Sequence, residues 1–303
     1  MQLSLLVEQE THRVRRLPPP VIKWSGSKRS QSAFIVRCVP RYRRYVEPFI
    51  GGGAVLYQMC PEVGVAGDIC EPLILLWKHV KTRPDELADG YLERWEHLQK
   101  TGHTYYYEVR DRFNAEQDPV DFLFISRTCV NGLIRFNSRG EFNNSFHLSR
   151  PGINPARLRN IIKDWSDRIQ NTEFIHQDYQ STLAQCGTGD LVYLDPPYFH
   201  TRGRYYGGIN PDVFFREVEA VIAKGASVVL SYDGKAGDTT YSAPVPDGLF
   251  AQRLELRSGN SPFRKTQGGY IAEVRESLYL SFKTEVASVA KSVPQRDTRM
   301  ASR

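Results

Sequence analysis

The segment from Arg44 to Asp68 constrains the fold more than any other part of this chain. A short apolar run, Arg44-Tyr45-Val46-Glu47-Pro48-Phe49, leads into the triplet Gly51-Gly52-Gly53. The helix-like Ala54 to Met59 follows, and a second run, Val63 to Gly67, ends on Asp68. Glycines at such a place allow a tight turn and a close approach of backbone to ligand. Strand, glycine loop, helix, strand and acid is how a doubly wound parallel sheet begins, and such sheets bind ligands beyond the carboxyl ends of their strands. Asp68 is placed to accept from ribose hydroxyls, and it also reads as a helix N-cap; the two roles are compatible. The GxxxxGK[ST] string of a mononucleotide P-loop is missing, and the spacing departs from the GxGxxG fingerprint.

Glu71 to Lys81 carries helical spacing through Leu73, Leu76, Trp77 and Val80. The α/β rhythm then stops. Residues 84 to about 165 read as helices rich in Tyr and Arg around a turn, Asn137-Ser138-Arg139-Gly140. Strand signals resume at Glu173 to His176 and at Asp190 to Leu194. A helix is expected over Phe214 to Ala223, a strand over Ala226 to Ser231, and one or two strands over Ala272 to Phe282. The simplest organisation is a discontinuous α/β domain over 1–83 and 165–287, interrupted by a mostly helical module over 84–164. A basic tail over 288–303 lacks apolar periodicity and reads as disordered.

At 303 residues with 41% hydrophobic residues, the chain can bury a sizeable core, which excludes an intrinsically disordered or collagen-like protein. The net charge of +6 says less than its distribution. From Thr11 to Arg44 ten basic residues occur with no acidic one, a run expected to include groups that meet phosphate. The five cysteines, Cys38, Cys60, Cys70, Cys129 and Cys186, are widely spaced without a CxxC pair, so buried thiols in a reducing compartment are expected. No apolar run reaches the roughly 20 residues of a membrane span. The basic residues of the first segment follow its acidic ones, the wrong order for a secretory signal. A cytoplasmic protein without a membrane partner is the default expectation. Trp77, Trp95 and Trp165 read as core, and the histidines show no metal spacing.

Asp195-Pro196-Pro197-Tyr198, at the end of the strand Asp190 to Leu194, is the sharpest local feature. Two prolines fix φ and remove two donors, so the chain leaves the strand rigidly with its carbonyls free. An aspartate oxygen and a proline carbonyl then stand side by side as acceptors beside an aromatic ring. That pair suits the exocyclic amine of a planar base, whose nitrogen it polarises as charge develops there. Tyr198 would stack on a base extruded from its helix. The bland alternative is a simple strand-ending turn.

These stretches together resemble the Dam-like (D12 class) N6-adenine-specific DNA methyltransferases. The resemblance is carried by Lys23 to Lys28, Val46 to Val55, Ala66-Gly67-Asp68, Asn131 to Asn137 with Gly140 to Asn143, and Asp195 to Tyr198, in that order, and covers about residues 20 to 285. It implies a Rossmann-like S-adenosylmethionine-dependent methyltransferase sheet with helices on both faces, plus an inserted DNA-recognition module with a β-hairpin. It also implies that Trp24 and Lys28 line the S-adenosylmethionine pocket, with Lys23 nearby. Glu47, Pro48, Phe49, Gly51 and Gly53 would hold the methionine portion, Asp68 the ribose, and Asp178 the cofactor's adenine amine. Asp195, Pro196, Pro197 and Tyr198 would form the catalytic group. Asn131, Arg135, Asn137 and Arg139 would lie on the DNA side, with Arg135 alternatively tying down the turn.

The chain departs from the family pattern at Ser25 and Ser27, at His147, and in the glycine-rich basic loop Thr201 to Gly208. That loop either closes over a flipped base or binds phosphate through Arg202 and Arg204. Asp233, at a strand end, is a further candidate near the base. The expected reaction converts S-adenosylmethionine to S-adenosylhomocysteine, with no metal, on double-stranded DNA, in a prokaryotic or phage-encoded enzyme acting as a monomer or weak dimer. A cognate restriction endonuclease is a candidate functional partner. An N4-cytosine methyltransferase using the same pocket and a catalytically silent DNA-binding module are the rival readings.

Overall fold

The computed structural model describes residues 14–150, 152–197, 208–236, 239–240, 244–258 and 274–286. Five parallel strands form the centre of the sheet: β1 (Arg44–Glu47), β2 (Gly64–Asp68), β3 (Thr172–His176), β4 (Asp190–Leu194) and β5 (Ser227–Ala236). A two-residue β6 (Thr239–Thr240) pairs with β5, and β7 (Gln252–Ser258) and β8 (Val274–Leu280) complete the sheet antiparallel. The spatial order is β3-β2-β1-β4-β5-β8-β7. The chain runs outward in one direction from β1 and in the other from β4, so the switch point lies between these two strands. The mixed sheet agrees with the expected fold.

Central strands buried on both faces read as continuous apolar runs, and β4 is buried throughout. Its alternation still sorts the core into two layers. Tyr45, Leu191, Tyr193 and Val229 face the larger cluster, while Val46, Val192, Leu194, Val228 and Leu230 face the smaller one. The larger layer takes α1 (Ser32–Cys38), α2 (Ala54–Met59), α3 (Glu71–Thr82) and the helices between 84 and 168. The smaller takes α8 (Tyr179–Ala184) and α9 (Pro211–Ala223). Helices therefore cover both faces. Trp77 and Trp165 are fully buried and Trp95 is half-buried; of the cysteines, all but the half-buried Cys60 are core residues.

The interruption between β2 and β3 consists of α4 (Pro84–Thr101), α5 (Thr104–Glu116), α6 (Pro119–Thr128) and α7 (Pro155–Arg168). Between α6 and α7 the chain folds back on itself, with a bridge between Phe136 and Phe142 and another between Cys129 and Phe146. Asp121, fully buried on α6, binds Arg94 of α4 and Arg112 of α5 and ties the three helices together. The expected boundary at 83/84 falls in the single-residue joint between α3 and α4. The one at 164/165 falls inside α7, because Trp165 is a packing residue of the sheet layer: it lies 4.8 Å from Tyr57 and 5.2 Å from Trp77, ring centre to ring centre.

Candidate active site

A cavity of about 420 Å³ lies at the carboxyl end of the sheet, lined by the residues that follow β1, β2 and β4. Its position is the switch point itself, where the crevice between oppositely running connections opens. The register of β1 and β4 brings their two cavity-facing ends level. At their far ends, the buried Asp190 accepts from Arg44 Nε at 3.1 Å and Nη2 at 2.6 Å, clamping the paired positions Arg44 and Asp190.

On the β1 side the chain turns through Gly51 and Gly53 at φ +44° and +65°. A Cβ on Gly51 would lie 2.7 Å from Trp24 Cδ1, and one on Gly53 would lie 3.0 Å from the Trp77 ring. With the Trp165 ring 3.1 Å from the same Gly53 position, the loop is built between three indoles, and Trp77 Nε1 donates to the Gly51 carbonyl at 3.0 Å. Asp68 accepts from Gly51 N at 3.3 Å and Cys70 N at 3.0 Å. Burial raises its carboxyl to about 6, against the opposing pull of those N–H groups. Glu47 is buried, accepts from the Tyr45 hydroxyl at 2.7 Å, and is raised well above the ordinary range by burial. Asp178 caps α8 through Ser181 N and Oγ, and the Ser181 amide above all holds its carboxyl low.

On the β4 side, Asp195 meets Lys28 Nζ at 2.9 Å, and Lys28 also lies 3.5 Å from Glu276 Oε2 of β8. Burial raises Asp195 to about 6 even though Lys28 pulls the other way. Period-2 alternation explains the gathering: Glu47, Asp195, Ser231 and Glu276 continue the face of Tyr45, Tyr193, Val229 and Leu278 on four neighbouring strands. Ser27 Oγ and Glu276 Oε2 are buried cavity atoms without a hydrogen-bond partner among the described residues. Half-buried Ile134 and Phe136 close the cavity from the inserted module.

The family model for D12 class N6 adenine-specific DNA methyltransferases matches residues 24–242, well over half of the chain. The chain belongs to that family. The DNA adenine methylase of Salmonella typhi is 35% identical over 183 residues, covering 58% of this chain and 64% of that protein. The type II methyltransferase M.MjaIII of Methanocaldococcus jannaschii is 32% identical over 205 residues, 59% of this chain and 68% of that one. The chain therefore spans just under two-thirds of the Salmonella relative's length. A solved rRNA methyltransferase from Streptomyces viridochromogenes covers 82% of this chain and 84% of its own at 11% identity and a TM-score of 0.34, too distant to carry weight.

Of the residues singled out in the sequence, Trp24, Lys28, Glu47, Pro48, Phe49, Gly51, Gly53, Asp68, Asp178, Asp195, Pro196 and Pro197 share the cavity wall. Lys23 is exposed and lies outside the wall; its side chain fills the space a Cβ on Gly132 would take. Asn131, Arg135 and Arg139 are exposed. Arg135 Nε donates to Asn143 Oδ1 at 2.8 Å across the turn, and Arg139 pairs with Glu141 at 2.9 Å. Asn137 accepts from the backbone of Arg139 and Glu141 and so shapes the turn. Tyr198, His200, Arg202 and Arg204 lie outside the described residues, as do the side chain of Asp233 and the tail from 287.

Several wall residues escaped the sequence reading. Glu276 and Ser231 carry a legible signal, a polar residue at an apolar-face position of a strand. Tyr179, stacked on Phe49 at 5.4 Å, has none. For S-adenosylmethionine, expected from the family, the fit is good: the volume suits a cofactor, the glycine loop lines the cavity, and orphaned polar atoms face it.

Proposed function

We propose that this chain transfers a methyl group from S-adenosylmethionine to the N6 amine of an adenine flipped out of double-stranded DNA. The observation that carries the reading is the placement of Asp195 and Pro196 at the end of β4, in one cavity with the glycine loop after β1 and with Asp68. When bound, S-adenosylmethionine supplies a methyl group on a sulfonium, so the sulfur–carbon bond breaks as the nitrogen–carbon bond forms and a neutral thioether remains. Glu47, Trp24 and the loop Phe49 to Gly53 orient the methionine portion, Asp68 takes the ribose hydroxyls, and Asp178 meets the cofactor's adenine. Asp195 and the Pro196 carbonyl accept hydrogen bonds from the target amine and stabilise the positive charge that develops on its nitrogen. The nitrogen then sheds one proton, for which Asp195, raised to about 6, is the acceptor within reach.

Extrusion of the base costs a few kcal/mol, offset by stacking on Tyr198 and by backbone contacts. The exposed Asn131, Arg135 and Arg139 around the turn whose inner face carries Ile134 and Phe136 present the recognition surface to DNA, with Arg202 and Arg204 in support. The test compares methyl incorporation into duplex DNA by wild type and Asp195→Ala. Loss of incorporation by more than a hundredfold, with affinity for S-adenosylmethionine retained within a few-fold, is expected. Activity persisting within threefold of wild type would overturn the assignment.

A further inference from the structure

At the end of β4 two carboxylates compete for one ammonium. Lys28 Nζ is 2.9 Å from Asp195 Oδ1 and 3.5 Å from Glu276 Oε2, with only 10% of the Lys28 side chain and 14% of the Glu276 side chain exposed. Glu276 reaches this position from β8, opposite Gly234, where the β5–β8 register shifts between Tyr232 and Gly234. Such irregularities re-aim side chains and gather beside active sites. An acceptor buried at an ordinarily apolar strand position, with its oxygen lacking a hydrogen bond, is costly unless something uses it.

The proposed reaction asks Asp195 to be two things. It must be an anion, which Lys28 favours, and it must offer its oxygens to an amine, which a close ammonium opposes. Movement of Lys28 by less than about 1 Å would complete the ion pair with Glu276 and open the oxygen of Asp195, without exposing either charge to water. The charge balance points the same way. Lys28, Asp195 and Glu276 together carry −1, which balances the single positive charge both while it sits on the sulfonium and after it has passed to the amine nitrogen. With a neutral residue at 276 the site would hold a buried net +1 throughout the transfer.

Resting on the methyltransferase reading, we propose that Glu276 is a positioning residue that takes the Lys28 ammonium when Asp195 turns to the target amine. The groups facing Asp195 from the packed elements are Lys28 before α1, Glu47 of β1, Tyr193 of β4 and Glu276 of β8. A negative charge at 276 disfavours ionised Asp195, so its removal moves the acid limb of the rate profile to lower pH while slowing the reaction.

The experiment is single-turnover methylation of duplex DNA by wild type, Glu276→Gln and Glu276→Asp across pH 5 to 9, with S-adenosylmethionine affinity measured alongside. Glu276→Gln is expected to lower the plateau rate about tenfold or more, shift the acid limb downward and leave cofactor affinity within twofold. Glu276→Asp, keeping the charge, should recover most of the rate with its limb near that of wild type. Equal loss in both variants, or a wild-type rate and limb in Glu276→Gln, would overturn the role. A wild-type structure with S-adenosylhomocysteine and duplex DNA reads the same exchange without a variant: Lys28 Nζ should sit nearer Glu276 than Asp195, and an unbroken Lys28–Asp195 pair beside a seated adenine would refute it. A wild type that transfers no methyl group to DNA at all would defeat the functional reading instead.

Discussion

Single residues decide whether this site can form. Gly51 combines φ +44° with a Trp24 ring 2.7 Å from where a Cβ would stand. Gly51→Ala therefore has to strain the backbone by about 1–2 kcal/mol and displace an indole of the cavity wall. The expected outcome is a loss of S-adenosylmethionine affinity of tenfold or more by calorimetry, and unchanged affinity would show that the loop does not touch the cofactor. The tight turn at the glycine triplet was legible because Gly51 and Gly53 directly follow a strand and glycine takes positive φ at little cost. Asn137 was less so: its side chain is spent on the amides of Arg139 and Glu141, and an Asx turn and a base-reading amide share one letter of sequence. Asp178 shows the same ambiguity, since the acid expected to meet the cofactor also caps α8.

At the scale of elements, the clamp between Arg44 and Asp190 joins β1 to β4 at the end away from the cavity and holds the register that brings Glu47 and Asp195 together. Arg44→Ala leaves a buried carboxylate without its bidentate partner, and Asp190 is 2% exposed. A loss of about 3 kcal/mol is expected in denaturant unfolding; a loss below 0.5 kcal/mol would mean that backbone pairing alone sets the register. The five parallel strands were readable from their apolar runs. Other elements were not, among them α1, α8 and β7. The helix α1 hides in the basic run, where charge masks the spacing of Ser32, Ile35 and Val36; α8 is only six residues long; and β7, with Arg253, Glu255 and Arg257 alternating with Leu254 and Leu256, is an edge strand half made of charge. The basic run was also read too uniformly. Lys28, Arg29 and Arg44 are turned inward onto Asp195, the Pro18 carbonyl and Asp190, while Arg15, Arg16, Lys23, Arg37, Arg41 and Arg43 are the exposed members among the described residues.

The molecule as a whole couples two layers of information through one cavity. The sheet supplies Glu47, Asp68 and Asp195 from three strand ends, and the inserted helices supply Ile134 and Phe136 from the inner side of a turn whose outer side carries Arg135 and Arg139. Under the proposed function, a module that meets DNA and also walls the cavity would have a direct physical route from recognition to chemistry. The turn at 137–140 was legible in the sequence; the share of its flanks in the cavity was not, because tertiary packing rather than local pattern brings residues 134 and 136 to the cavity wall. The most direct measurement is digestion to nucleosides of duplex DNA treated with the full chain and isotopically labelled S-adenosylmethionine. The account predicts label in N6-methyl-2′-deoxyadenosine from double-stranded DNA, lost in Asp195→Ala; label in N4-methyl-2′-deoxycytidine, or DNA that stays unlabelled, would contradict it.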